Sequence, residues 1–252
     1  MSEQPQVPYL KPANLKARLK AAYDAIAPTY NAWTIDHSPK RLEYVDRLIG
    51  LLRPVNSGDP VRPLRVLELG CGAGLPVTAR LLTALAPVHV VANDLSSTQL
   101  QLAREALGIH GEKVVVDKDS GSTVDWIEGD MMALYPDDGP DRADATLDAV
   151  FGFYSIIHLP RDEQAILLTR IARWLRPGGY LLANFSAEDV PGVVIENWLR
   201  EKEGWMFWSG WGADGIEARI RETGMAVVQS RVETDDVDGA RFLWMVAQKP
   251  VE

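Results

Sequence analysis

Val66-Leu67-Glu68-Leu69-Gly70-Cys71-Gly72-Ala73-Gly74 joins an apolar run to a glycine-rich turn near the end of the first third of the chain. Val66 to Leu69 suit a buried strand and run directly into three glycines on alternate positions, after which an apolar helical pattern starts at Val77. The spacing predicts a strand, a tight turn and a helix. Glycine serves where backbone turns sharply or lies against a bound molecule with no Cβ in the way, so the turn is expected beneath a ligand. The free N–H groups opening the next helix would face the same ligand. A dinucleotide fingerprint requires glycine at the first, third and sixth positions. Counted from Gly70, the sixth position is Leu75 and glycine falls on the fifth, which disfavours a nicotinamide or flavin site.

Strand and helix patterns alternate on the C-terminal side of this loop. His89 to Asp94 reads as the second strand, and Ser96 or Ser97 can cap a helix running to about Leu107. The charged segment Gly111 to Ser122 reads as a loop, Thr123 to Ile127 as the third strand and Leu147 to Phe153 as the fourth. Pro160 suits the first turn of a helix that Pro177-Gly178-Gly179 should stop. Tyr180 to Phe185 is the fifth strand, with a closing antiparallel pair expected around Met225–Val228 and Arg241–Ala247. This order predicts an α/β fold: a doubly wound, mostly parallel seven-stranded sheet with an antiparallel C-terminal strand and helices on both faces.

On the N-terminal side, Leu15, Leu19, Tyr23 and Ile26 recur at helical spacing, and Pro28 should end that helix. A second helix follows Ser38-Pro39, with Leu42, Val45, Leu48, Ile49 and Leu52 on one face. The first dozen residues read as a loosely packed tail, and Pro54 to Pro63 as a turn-rich connector. Residues 1–55 are thus expected to form a tail and helical lid. Residues 56–252 would form the core, with an aromatic-rich insertion at about 186–212.

The chain of 252 residues carries a formal net charge of −9, so it lacks the basic balance expected of a protein that grips phosphate backbones. Cys71 is the one cysteine, so no intrachain disulfide is possible. His37, His89, His110 and His158 have no second ligand at zinc-like spacing, and no metal is expected. No segment is apolar for long enough to span a membrane, and the N-terminus has no apolar leader core, so a cytoplasmic enzyme is the expectation.

The pattern E-x-G-C-G-x-G from Glu68 to Gly74 resembles the first motif of class I S-adenosylmethionine-dependent methyltransferases. The resemblance runs from about Tyr23 to Phe185 and includes Glu128-Gly129-Asp130-Met131-Met132, Asp148 to Leu159 and Leu175 to Leu182. Its later part is most similar to small-molecule methyltransferases of fungal and bacterial metabolism. The resemblance implies S-adenosylmethionine as cofactor and S-adenosylhomocysteine as product. Asp94 would bind the ribose hydroxyls beside Leu95. Asp130 would meet the adenine amino group, and Met131 would pack on the ring. Glu68, Gly70, Cys71, Gly72, Gly74 and Phe153 would complete the cofactor site. Tyr23 and Tyr30 lie in a segment resembling an N-terminal lid whose tyrosines contact the methionine portion. An alternative for Asp130 is a turn cap, and one for Tyr23 is a core position on its helix.

His158 follows the fourth strand and is the candidate general base, the alternative being a histidine that caps the helix beginning at Pro160 or packs on the cofactor; His37 is a second candidate because its segment would fold over the site. The window from Trp198 to Trp211 holds half of the eight tryptophans. At least one of Trp205, Phe207 and Trp208 is expected to contact an aromatic or heterocyclic acceptor, the alternatives being the packed underside of a cap or a dimer surface, and Ser209, Gly210, Gly212 and Gly215 suggest a hinge. The implied reaction is methyl transfer to a small molecule, oxygen favoured over nitrogen or sulfur, by a monomer or homodimer with no nucleic-acid or membrane partner. Two alternatives are a non-catalytic cofactor-binding partner protein and a protein-directed methyltransferase, whose acceptor site would be an open groove.

Overall fold

A computed structural model describes residues 11–52, 62–117, 120–135 and 144–251. The expected N-terminal tail up to residue 10 and most of the Pro54 to Pro63 connector lie outside these residues. Strands β1 (Leu64–Leu69) and β2 (Val88–Asp94) flank helix α3 (Val77–Ala84), and α4 (Ser97–Leu107) follows β2. Ser96 caps α4 by accepting the Gln99 N–H at 3.1 Å, the side-chain chemistry that starts helices after extended chain. Gly108 closes α4 in the left-handed conformation.

The segment expected to be a loop contains an additional strand, β3 (Lys113–Asp117), antiparallel to β4 (Ser122–Glu128). It is held by pairing with its neighbour, which a local pattern does not display. Then come β5 (Leu147–Gly152), α5 (Arg161–Trp174) and β6 (Leu175–Ser186). Helix α5 ends at Trp174, ahead of Pro177, and the chain enters β6 directly, with Leu147 already paired to Leu175. The aromatic-rich insertion forms a separate antiparallel pair, β7 (Asp189–Ile195) and β8 (Met206–Trp211). Helix α6 (Gly212–Glu222) leads to β9 (Ala226–Thr234) and β10 (Arg241–Gln248), the closing antiparallel strands.

The main sheet has eight strands in the order β3-β4-β2-β1-β5-β6-β10-β9, one more than expected because of β3. The central pairs β4-β2, β2-β1, β1-β5 and β5-β6 are parallel. Parallel strands need cover on both faces, and β1 alternates accordingly. Val66 packs in one apolar layer with Leu81 and Leu100, while Leu67 and Leu69 pack in the other with Leu167 and Ile216. Because β1 pairs with β2 on one side and β5 on the other, a crevice opens at the carboxyl ends of these strands.

Helix α1 (Leu15–Thr34) runs straight through Pro28. Proline removes one intrahelical donor, but fully buried Ala27 and buried Ile26 and Thr34 hold the helix on both sides of it, so packing outweighs the local preference. Leu15, Leu19, Ala22 and Ile26 pack on Trp205, Met206 and Phe207, joining α1 to the hairpin in a third small core. Helix α2 (Ser38–Leu52) belongs to the body of the domain: Tyr44, Val45 and Leu48 are fully buried, and the Tyr44 ring stacks 4.4 Å from Trp244. Covering the crevice falls to α1 and the hairpin. The expected hinge is pinned instead. Ser209 Oγ donates to the Leu159 carbonyl at 2.6 Å, Arg161 donates to the Gly210 carbonyl, and a Cβ on Gly210 would lie 2.5 Å from that of Ser186.

Candidate active site

The turn after β1 is held against β2 by the N–H groups of Gly70 and Cys71, which both donate to the Asn93 carbonyl at 2.8 and 2.9 Å. Gly70 has φ +73°, and a Cβ there would stand 2.4 Å from Cβ of Ser155, so this position admits glycine alone. Beside the turn lies a cavity lined by Gly70, Gly72, Asp94, Leu95, Asp130, Met131, Phe153, Tyr23, Tyr30 and His158 among others. Ten of the residues expected from sequence thus converge here.

Asp94 is fixed by the Gly72 N–H on one carboxylate oxygen and the Ser96 N–H on the other, both at 2.8 Å. A carboxylate has about four acceptor sites, so acceptor capacity stays free for a ligand hydroxyl. Burial pushes its pKa up to about 6, opposed by those backbone N–H groups. Asp130 caps a short helical turn by accepting the Met132 N–H at 3.0 Å and pairs with Lys16 at 3.0 Å. It is a cap and a wall of the cavity at once.

Three of the expected cofactor residues sit elsewhere. Glu68 and Cys71 face a smaller cavity behind the turn, with Arg41 and Thr34. Glu68 is buried, accepts from Thr78 Oγ1 at 2.6 Å, and is pushed up to about 8 by desolvation. Gly74 reaches none of the three cavities. Its missing Cβ lets α4 approach, with Leu107 and Ala103 at 3.2 and 3.3 Å from where one would stand.

A second, larger cavity, of about 280 Å³, meets the first at Tyr23, Tyr30, Tyr154 and His158. Trp33, Trp198, Trp208 and Phe242 panel it, and His37 is in its wall. Trp208 and His37 stand where an acceptor contact was expected. Trp205 and Phe207 do not. They are buried against α1, with Arg18 over the Trp205 ring at 4.0 Å, because their side chains serve the small core under the hairpin.

His158 is not a free base. Its Nδ1 donates to the Phe207 carbonyl at 2.8 Å, which leaves Nε2 to accept the Tyr23 hydroxyl, also at 2.8 Å. Burial pushes its pKa down to about 4. Both nitrogens are used and the ring is neutral, so it positions Tyr23 between the two cavities.

Sequence reading missed several wall residues. Gln99 is 1% exposed, lines the first cavity, and both amide heavy atoms lack partners among the described residues. Its helical position between Thr98 and Leu100 gave no signal beyond its polarity. Tyr154 adopts φ +54°, a strained conformation for a non-glycine residue, exactly where the cavities join. Asp24 latches α1 to α4, accepting from Ser96 Oγ at 2.6 Å and the Thr98 N–H at 3.1 Å.

The crevice at the switch point thus has a glycine turn beneath it and acids where β2 and β4 end, Asp94 and Asp130. Residues 66–179 match the family described as a methyltransferase domain. The chain is 34% identical over 148 residues to the ubiquinone/menaquinone biosynthesis C-methyltransferase UbiE of Methylobacterium nodulans, covering 58% of this chain and 50% of the relative. It is 30% identical over 172 residues to the ubiquinone biosynthesis O-methyltransferase of Dinoroseobacter shibae, covering 64% and 61%. The chain therefore spans only about half the length of the curated relatives it matches. A similar solved fold is the Burkholderia thailandensis 1,6-didemethyltoxoflavin-N1-methyltransferase, crystallised with 1,6-didemethyltoxoflavin and S-adenosylhomocysteine. The TM-score is 0.65 at 20% identity, with 99% of this chain and 98% of that chain covered.

Proposed function

We propose that this protein transfers a methyl group from S-adenosylmethionine to a small planar acceptor. The observation that carries the reading is the junction of two cavities at Tyr23, Tyr30, Tyr154 and His158: one with a glycine floor and paired acids, the other panelled with aromatic rings. The cofactor supplies an already activated methyl group on a sulfonium. Asp94 would hold the ribose, Gln99 and Asp130 the polar edges near the adenine, and Leu95 and Met131 the faces of the base. Gly70 and Gly72 let the backbone approach, and Phe153 closes the wall. The Tyr23 and Tyr30 rings, 5.3 Å apart, offer π-electron density to a cation at the junction.

The protein's own work is alignment and exclusion of water, which can supply up to ~7–11 kcal/mol of barrier reduction in favourable cases. Trp33, Trp198 and Trp208 suit a flat ring better than a peptide. Oxygen is favoured over nitrogen or sulfur because a histidine in the wall of the acceptor chamber has a ring nitrogen with no hydrogen-bond partner among the described residues, useful to an O–H that must lose its proton. The reading extends to a metabolite-modifying enzyme working in the cytoplasm as a monomer or homodimer. No helix among the described residues is long and apolar enough to cross a membrane, and no group of three or more His, Cys, Asp or Glu could hold a metal ion there.

Calorimetric titration with S-adenosylmethionine and with S-adenosylhomocysteine tests this reading. Saturable binding of each near one per chain is expected, and absence of both from well-folded protein overturns it.

A further inference from the structure

We propose that His37, held by Asp235, is the general base that takes the proton from an acidic O–H, a phenol or enol, on the acceptor. This rests on the methyl-transfer reading above. His37 ends the short helical turn between α1 and α2 and is 4% exposed. Its Nδ1 lies 2.8 Å from Asp235 Oδ2, and the two side chains are 3% and 7% exposed. A carboxylate accepts, so Nδ1 carries the hydrogen and Nε2 keeps its lone pair. That Nε2 is buried with no hydrogen-bond partner among the described residues, and the ring is in the wall of the aromatic chamber.

An unpaired buried acceptor costs stability, so the arrangement is a poor structural device and a good receptor for an O–H. Asp235 is itself held: its Oδ1 accepts the Val237 N–H at 2.9 Å, and its own N–H donates to the Ala240 carbonyl at 2.7 Å. The Trp33 ring lies 4.2 Å from the imidazole and Tyr154 lies 6.2 Å away, so a flat ring entering the chamber meets aromatic surface beside the base. Asp238 and Arg241 line the same chamber, and buried Arg41 is engaged by the Thr34 carbonyl and Ser38 Oγ.

In the step, the acceptor O–H proton passes to His37 Nε2 while the oxygen lone pair forms the bond to the methyl carbon. The carbon–sulfur bond breaks and its electron pair stays on sulfur, giving S-adenosylhomocysteine. The resulting imidazolium faces the Asp235 carboxylate until it returns its proton to solvent. Asp235 is a positioning residue: it fixes the tautomer and stabilises the charged ring.

The test uses para-nitrophenol, whose phenol and phenolate differ in colour, with protein saturated in S-adenosylhomocysteine. Wild-type protein should raise the phenolate-to-phenol ratio of the bound probe above that of the free probe at the same pH. His37→Gln and Asp235→Asn should each lower that ratio by about tenfold or more, the scale of one lost charge-assisted hydrogen bond, and Asp235→Glu should restore it. If His37→Gln cannot hold S-adenosylhomocysteine, Asp235→Asn with its Glu rescue carries the test. A wild-type protein that leaves the probe unbound or wholly phenolic overturns the proposal, as does a phenolate band that survives His37→Gln or Asp235→Asn. In all these cases, retained S-adenosylhomocysteine affinity leaves the methyl-transfer reading standing. Failure of the wild type to bind S-adenosylhomocysteine overturns both.

Discussion

The Tyr23 hydroxyl and His158 Nε2 stand 2.8 Å apart, in a pair that joins the covering helix to the end of the sheet across 135 residues of chain. With Nδ1 on the Phe207 carbonyl, the imidazole is a strut.

This strut has a pH signature. Burial lowers the His158 pKa from the ordinary 6.5 to about 4. Above 6.5 the ring is neutral folded or unfolded and contributes nothing to pH dependence. As pH falls below that value the unfolded chain takes up a proton that the folded ring refuses, so stability declines down to about 4 and then levels off. The loss should approach about 3 kcal/mol. Asp94 and Glu68 titrate nearby with the opposite sign, so the reading is a difference: denaturant titrations should show the stability of wild type relative to His158→Gln falling by about 3 kcal/mol as pH drops from 6.5 to about 4.

Asp94 should make cofactor affinity fall on acidification through about pH 6, where its carboxyl protonates and loses acceptor capacity. Asp94→Asn should weaken S-adenosylmethionine binding by about 10- to 100-fold, the scale of one hydrogen bond to a charged group, and flatten that profile. Calorimetry on both sides of pH 6 checks both statements.

Gly70→Ala combines a positive φ with a Cβ overlapping Ser155. A loss of about 2–5 kcal/mol is expected from strain plus overpacking. Ser155→Gly in the same chain should recover only the steric part, read as a partial return in melting temperature.

Trp205 and Trp208 should separate structure from recognition. Trp205→Ala empties the small core and should cost about 3–5 kcal/mol, while Trp208→Ala should leave most stability intact and weaken acceptor binding. Thermal melts and binding of para-nitrophenol distinguish them.

The glycine turn, the alternating elements and the acids ending β2 and β4 were legible because each is a local pattern: strand run, turn chemistry, cap. Strand β3 was not, because Val114, Val115 and Val116 become a strand only by pairing with β4. Pro28 misled because its local cost is outweighed by burial along α1. In the site, Asp94 and Asp130 were readable from their positions at strand ends, but Asp235 lies 198 residues from His37 and no spacing connects them. The aromatic window announced an apolar surface without saying which rings face the core. That depends on how β8 seats against α1: it turns Phe207 inward and Trp208 toward the chamber.

Because α1 continues through Pro28, the Lys16–Asp130 ion pair and the Ser96–Asp24 hydrogen bond that seat its first half also set Tyr30 and Trp33 in the acceptor chamber. A methyl donor in the first cavity would stand at its junction with the second, beside Tyr23 and Tyr30, so addition in a fixed order is the expected outcome. S-adenosylmethionine should enter first and S-adenosylhomocysteine leave last. In steady-state product inhibition, S-adenosylhomocysteine should compete with the methyl donor and act noncompetitively against the acceptor.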